Sequence, residues 1–140
     1  MKMQIKEFAE LVGVSVRTLH YYDEIGLLKP SDVGQYTGYR FYDKSCFERM
    51  QEILFYRELD FSLKTISEII SSPEYDKRQA LAQQRNLLLA KKKHLEQLIE
   101  AIDKLGKGDD IMPKENEYET LREQYADEAR QSWGSTRVFE

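Results

Sequence analysis

Arg17 is the only cation between Gly13 and Tyr22, in a stretch that holds no acid. Its planar guanidinium is a fork of N–H donors that suits a guanine edge or a phosphate. Thr18, His20 and Tyr21 stand off the apolar stripe Val16, Leu19 and Tyr22, so their polar atoms can reach base edges or phosphate oxygens. His20 is read as such a contact and not as a metal ligand, and Tyr22 as a core residue. Nothing in the chain suggests catalysis: there is no paired-carboxylate site, no nucleophile beside a histidine and no phosphate-cradling glycine loop.

The elements around Arg17 are set by helical spacing and by sparse punctuation. Ile5, Phe8, Ala9 and Val12 recur at helical intervals and stop at Gly13, which predicts a helix of about two turns with a glycine just past its end. Ser15 is placed to cap the next helix, which runs from Val16 to Ile25 and stops at Gly26. Two short helices around a tight glycine-containing turn form a helix-turn-helix candidate. Beyond Pro30 and Gly34, the stretch Gln35 to Asp43 is rich in Tyr and Phe around Thr37-Gly38 and predicts a small β-hairpin, or wing. Asp43 can cap a longer helix with Phe47, Met50, Ile53 and Leu54 inward. Ser62 can cap another, carrying Leu63, Ile66, Ile69 and Ile70 up to Ser71-Ser72-Pro73.

No glycine or proline interrupts 76–105, and Leu81, Leu88, Leu95 and Ile102 repeat every seven residues through it. With these as a positions, the d positions are Gln84, Lys91, Leu98 and Leu105, so the seam is regular only in its C-terminal half. Leu87 and Leu89 are extra apolar residues suited to packing against a globular surface. The favoured reading is a self-pairing helix with Leu88, Leu95, Leu98, Ile102 and Leu105 at the pairing face; the alternative is one helix folding back on its own head. Residues 106–116 read as a linker, and Tyr118, Leu121, Tyr125 and Ala129 form one face of a further helix that needs a partner surface.

The chain has 140 residues, 41% of them hydrophobic and 33% charged, a composition that fits a folded, mainly α protein of about one domain plus an extension. Its formal charge of −4 counts against a nucleic-acid binder until it is divided along the chain. Residues 1–70 hold nine Lys or Arg against eleven Asp or Glu, residues 71–105 seven against five, and residues 106–140 five against nine. The tail alone thus equals the whole deficit, and affinity for DNA would rest on a few placed cations rather than on a broad basic field. The single cysteine, Cys46, and the lack of a leader-like or membrane-spanning run lead to a reducing cytoplasm as the expected compartment.

Taken in order, the run from Val16-Arg17-Thr18-Leu19-His20-Tyr21-Tyr22-Asp23-Glu24-Ile25-Gly26-Leu27-Leu28-Lys29-Pro30, then Gly38-Tyr39-Arg40-Phe41-Tyr42, then Phe61-Ser62-Leu63-Lys64-Thr65-Ile66, resembles the DNA-binding domain of the MerR family of bacterial transcription regulators. The resemblance covers residues 1–72 and extends to the helix at 76–105, which is similar to that family's antiparallel dimerisation helix. It implies a mainly α protein: a winged helix-turn-helix DNA-binding domain at 1–72, then a long antiparallel coiled-coil dimerisation helix at 76–105. The implied function is that of a homodimer that binds a pseudo-palindromic promoter operator and distorts the spacer so that RNA polymerase can use the promoter. An excisionase-like DNA-bending protein without activation is the alternative, and a module that pairs through 76–105 and ignores DNA is a third.

By that resemblance Ser15, Val16, Arg17, Thr18, His20 and Tyr21 belong to the recognition helix, while Tyr39 and Arg40, with Tyr36 and Lys44, belong to the wing that grips backbone. Ser62, Leu63 and Lys64 match the start of a helix whose free N–H groups suit a phosphate. Asp60 departs from the pattern, because a glycine commonly precedes the Phe-Ser; either the aspartate holds a left-handed turn at some cost or the turn differs from the family's. The family's metal and redox sensors use several cysteines after the long helix, so neither cofactor nor metal is expected here, and Cys46 reads as a small buried residue. The run from Glu117 to Thr136 resembles the opening of the helical effector domain of TipA-like and Mta-like members, placing the start of a truncated effector domain at 117–140. A drug-like effector is then expected only in a full-length form, and DNA binding without it is expected to be constitutive.

Overall fold

Five helices begin where one side chain accepts a hydrogen bond from a backbone N–H three residues on, the last of them at Asn116, which accepts from Glu119 at 3.0 Å. Ser15 accepts from Thr18 (3.0 Å), Asp43 from Cys46 (3.1 Å), Ser62 from Thr65 (3.2 Å) and Asp76 from Gln79 (3.2 Å). Each satisfies one of the donors that a helix start leaves unpaired. The computed structural model describes residues 1–131, so the Trp133-Gly134 end of the tail segment lies outside the described residues. The chain forms two compact units, Met1–Ser71 and Ser72–Glu140.

In the first unit, β1 (Lys2–Gln4) leads into α1 (Ile5–Val12) and α2 (Val16–Glu24), followed by β2 (Asp32–Val33), β3 (Arg40–Asp43), α3 (Lys44–Glu58) and α4 (Leu63–Ile70). The expected helix-turn-helix is present. Gly13 closes α1 at φ 77°, a left-handed conformation that a side chain resists, and its N–H donates to the Ala9 carbonyl at 2.9 Å. Phe8, Leu19, Tyr42, Met50, Ile53, Tyr56, Leu59, Ile66 and Ile69 are fully buried, and Phe8 stacks on Tyr42 with ring centroids 4.5 Å apart. This single core, fed by every helix of the unit and by β3, holds α2 in place.

The wing differs from the expected hairpin. Its first arm is Asp32–Val33, antiparallel to β3 with Asp32 opposite Phe41, so residues 34–39 form the connecting loop rather than strand. Gly34 N–H donates to the Tyr39 carbonyl (2.8 Å) and Gly38 N–H to the Gly34 carbonyl (2.9 Å), which closes that loop. β3 also pairs with β1, giving the sheet order β1-β3-β2. A three-residue strand at the chain start is too short to show a period-two pattern, which is why spacing does not reveal it.

Asp60 stands at φ 67°, so of the two alternatives the left-handed turn is the one adopted, between α3 and the Ser62 cap of α4. A non-glycine residue there carries a steric penalty of roughly 1–2 kcal/mol, partly offset because glycine loses more chain entropy on folding. Asp60→Gly is therefore expected to raise unfolding stability by about 0.5–1 kcal/mol, read as a higher urea midpoint at an unchanged slope. A lower midpoint would show that contacts of the carboxylate outweigh the strain.

In the second unit, α5 (Lys77–Gly106) is followed by an irregular segment and by α6 (Glu117–Ala129), capped by Asn116. α6 packs back along α5: Glu117 pairs with Lys93 at 3.4 Å, and Leu121, Gln124 and Tyr125 of α6 line a shallow cleft with Gln83, Asn86 and Leu87 of α5. The buried face of α6 is Tyr118, Tyr125, Ala126 and Ala129, whereas Leu121 is left largely exposed. Leu87 is buried as expected for a packing residue, but Leu89 is exposed. No described helix is long and apolar enough to cross a membrane.

Candidate nucleic-acid interface

Because Leu19 and Tyr22 anchor α2 in the core, helical geometry turns Arg17 and Tyr21 to solvent, with Val16, Thr18 and His20 half-buried between. Arg17 meets no acid among the described residues, and neither do Lys44 and Lys64, both exposed. Ser15 is occupied as the α2 cap, and its hydroxyl also lies 2.9 Å from that of Thr18. These two residues fix where α2 starts, and hence where Arg17 points.

At the wing, Tyr36 is 94% exposed and Tyr39 56%, two aromatic rings at the tip of a loop rather than in a core. Arg40 is tied down: its Nε lies 3.1 Å from Asp23 Oδ2, and Lys29 Nζ lies 3.4 Å from Oδ1 of the same carboxylate. Asp23, near the C-terminus of α2, thereby links α2 to β3 and to the segment between them. Its role escapes sequence reading because the partners lie six and seventeen residues away at no helical interval. Among the described residues Arg40 bonds through Nε, which leaves its terminal guanidinium nitrogens as unused donors.

The titratable groups here are structural. Burial pushes the Cys46 thiol up, away from the reactive thiolate, and it lies 3.5 Å from the Lys29 carbonyl oxygen. Burial also raises the hydroxyls of Tyr22 and Tyr42. Asp43 is held below the usual carboxylate range, first by the Ser45 hydroxyl at 2.6 Å and then by the Cys46 N–H. A carboxylate with a lowered folded-state pKa adds stability above its unfolded value, and that stability is lost as pH falls through the folded value. The Asp43→Asn variant is expected to lose less stability between pH 5 and 3 than the parent; identical acid transitions would show that the cap does not depend on charge.

Residues 3–72 match the family described as MerR HTH family regulatory protein, and residues 47–107 match the one described as MerR, DNA binding. The chain belongs to the MerR family. Among MerR-family relatives, the HTH-type transcriptional activator mta of Bacillus subtilis is 39% identical over 96% of this chain and 56% of its own length. The HTH-type transcriptional activator TipA of Streptomyces coelicolor is 35% identical over 99% of this chain and 57% of its own. The crystal structure of the HTH-type transcriptional regulator SkgA from Caulobacter crescentus superposes with a TM-score of 0.69 at 40% identity, covering 83% of this chain and 85% of that one. These similarities place the chain in the TipA/Mta subgroup of MerR regulators. The chain spans a little over half the length of the curated mta and TipA relatives.

Proposed function

We propose that the chain works as a homodimer that binds a pseudo-palindromic promoter operator and distorts the spacer DNA so that RNA polymerase can use the promoter. The observation that carries this reading is Arg17, exposed and without an acidic partner among the described residues on a helix whose start is set by Ser15. Val16, Thr18, His20 and Tyr21 share that helix, and Tyr36, Tyr39, Arg40 and Lys44 supply a wing that holds flanking phosphates. Lys64, beside the N-terminus of α4, supplies a further phosphate contact.

The second copy is taken up along α5, where Leu88, Leu95, Leu98, Ile102 and Leu105 are all large, apolar and exposed. Bending and untwisting a short site costs on the order of 1–6 kcal/mol, which contacts at two half-sites together offset. The domain reading follows the same division: DNA binding at 1–72, dimerisation at 76–105, a linker at 106–116 and the start of an effector domain from 117, whose drug-like ligand belongs to a full-length form.

Fluorescence-anisotropy titration of a pseudo-palindromic promoter duplex at two salt concentrations tests this. Saturable binding that weakens steeply with salt is expected. Undetectable binding overturns the reading, and binding without any effect on transcription in vitro replaces activation with architectural bending.

A further inference from the structure

Asp23 stands where two local rules disfavour a carboxylate. It lies in the last turn of α2, beside Glu24 and with no cation in that turn, so it meets the negative end of the helix dipole. It also sets a negative charge about 9 Å along the helix from Arg17, next to a wing read as holding phosphates. Its use must lie in what it holds.

What it holds best is Arg40. The Nε of Arg40 lies 3.1 Å from Asp23 Oδ2 and its side chain is 37% exposed, whereas Lys29, 3.4 Å from Oδ1, is 68% exposed. Arg40 opens β3 and shares a sheet face with Tyr42, two residues on, whose ring is fully buried and stacked on Phe8. The core therefore fixes the backbone of β3, and Asp23 fixes the guanidinium at its edge. Bonded through Nε, the guanidinium loses the freedom of its long stem, while the donors on Nη1 and Nη2 stay unused among the described residues.

We propose that Asp23 is a positioning residue of the DNA interface: by holding Nε it aims the two terminal nitrogens of Arg40 at one backbone phosphate while Arg17, on the same helix as Asp23, addresses the groove. This rests on the promoter-binding reading above. The ion pair favours discrimination over affinity. Its carboxylate repels phosphates on any sequence alike, whereas the aimed guanidinium gains only where base and phosphate contacts are made together.

The test uses the full 140-residue chain, a duplex selected from a random-sequence pool for tight binding, and an unselected duplex of the same length. By fluorescence anisotropy, Asp23→Asn is expected to weaken binding to the selected duplex about tenfold and to strengthen binding to the unselected one about twofold. A loss of fold would move both in the same direction. In an Arg40→Ala chain, Asp23→Asn is expected to strengthen binding to both duplexes about twofold, because no guanidinium is left to aim. Arg40→Lys carries the test without touching Asp23: an ammonium held by the carboxylate has no second nitrogen to offer a phosphate. This variant is expected to bind the selected duplex no better than Arg40→Ala, and to gain about fivefold when Asp23→Asn is added. Lys29→Ala, which removes the other partner of Asp23, is expected to leave discrimination between the duplexes unchanged. Equal losses on both duplexes, a loss on the selected duplex that persists in the Arg40→Ala chain, or no gain from adding Asp23→Asn to Arg40→Lys overturns the proposal. Failure of the selection to yield any duplex bound more tightly than random DNA overturns the promoter-binding reading itself.

Discussion

Arg17→Ala is expected to weaken operator binding by about 1–3 kcal/mol, roughly 5- to 150-fold in Kd, while leaving thermal unfolding unchanged. The separation of the two effects follows from position. Arg17 is exposed at the second residue of α2 and meets no acid among the described residues, so removing it takes away no internal contact of the folded chain. The residues that hold α2, Leu19 and Tyr22, are untouched. Arg17→Lys sharpens the test, because an ammonium keeps the charge but loses the planar fork that addresses two acceptors at once. If Arg17 reads a base, the lysine variant keeps its affinity for random duplex and loses discrimination between operator and random DNA. Equal losses on operator and random DNA for Arg17→Ala would instead make Arg17 a phosphate contact.

The parts of this interface that could be read from residues alone are those governed by local chemistry. A capping hydroxyl or carboxylate followed by helical spacing located α2 from Ser15, α3 from Asp43 and α4 from Ser62. What local chemistry does not reach is pairing between distant segments. β1 is three residues long and exists because β3 offers it an edge, and β2 begins before the aromatic stretch that suggested a strand. The Asp23 link to Arg40 joins residues seventeen apart, and nothing in their spacing announces it. For α6, the stripe Tyr118, Leu121, Tyr125 and Ala129 called for a partner surface without naming it; contact with α5 turned the helix so that Ala126 is buried and Leu121 is not.

Replacing Leu95 by glutamate is expected to have the larger effect of the two substitutions, converting the protein to a monomer and lowering operator affinity by about 10³-fold or more, to the level of non-specific binding. Leu95 is 48% exposed in the single chain, so the substitution disturbs nothing already packed there, and circular dichroism should show the parent's helix content, while the melting temperature falls and loses its dependence on protein concentration. In the proposed dimer the same position lies in the pairing face and occurs twice. Each copy loses the burial of a leucine, worth roughly 1.5–3 kcal/mol, and must desolvate a carboxylate instead. The loss passes to DNA binding because the head is itself mildly acidic: with nine cations against eleven anions in residues 1–70, one copy has few phosphate contacts to offer and no second half-site against which to bend the duplex. The slope of log affinity against log salt should fall to about half that of the parent, since half the phosphates are engaged. Light scattering and anisotropy on one preparation decide the matter: a variant that stays dimeric, or a monomer that holds the operator as tightly as the parent, would separate DNA recognition from pairing along α5.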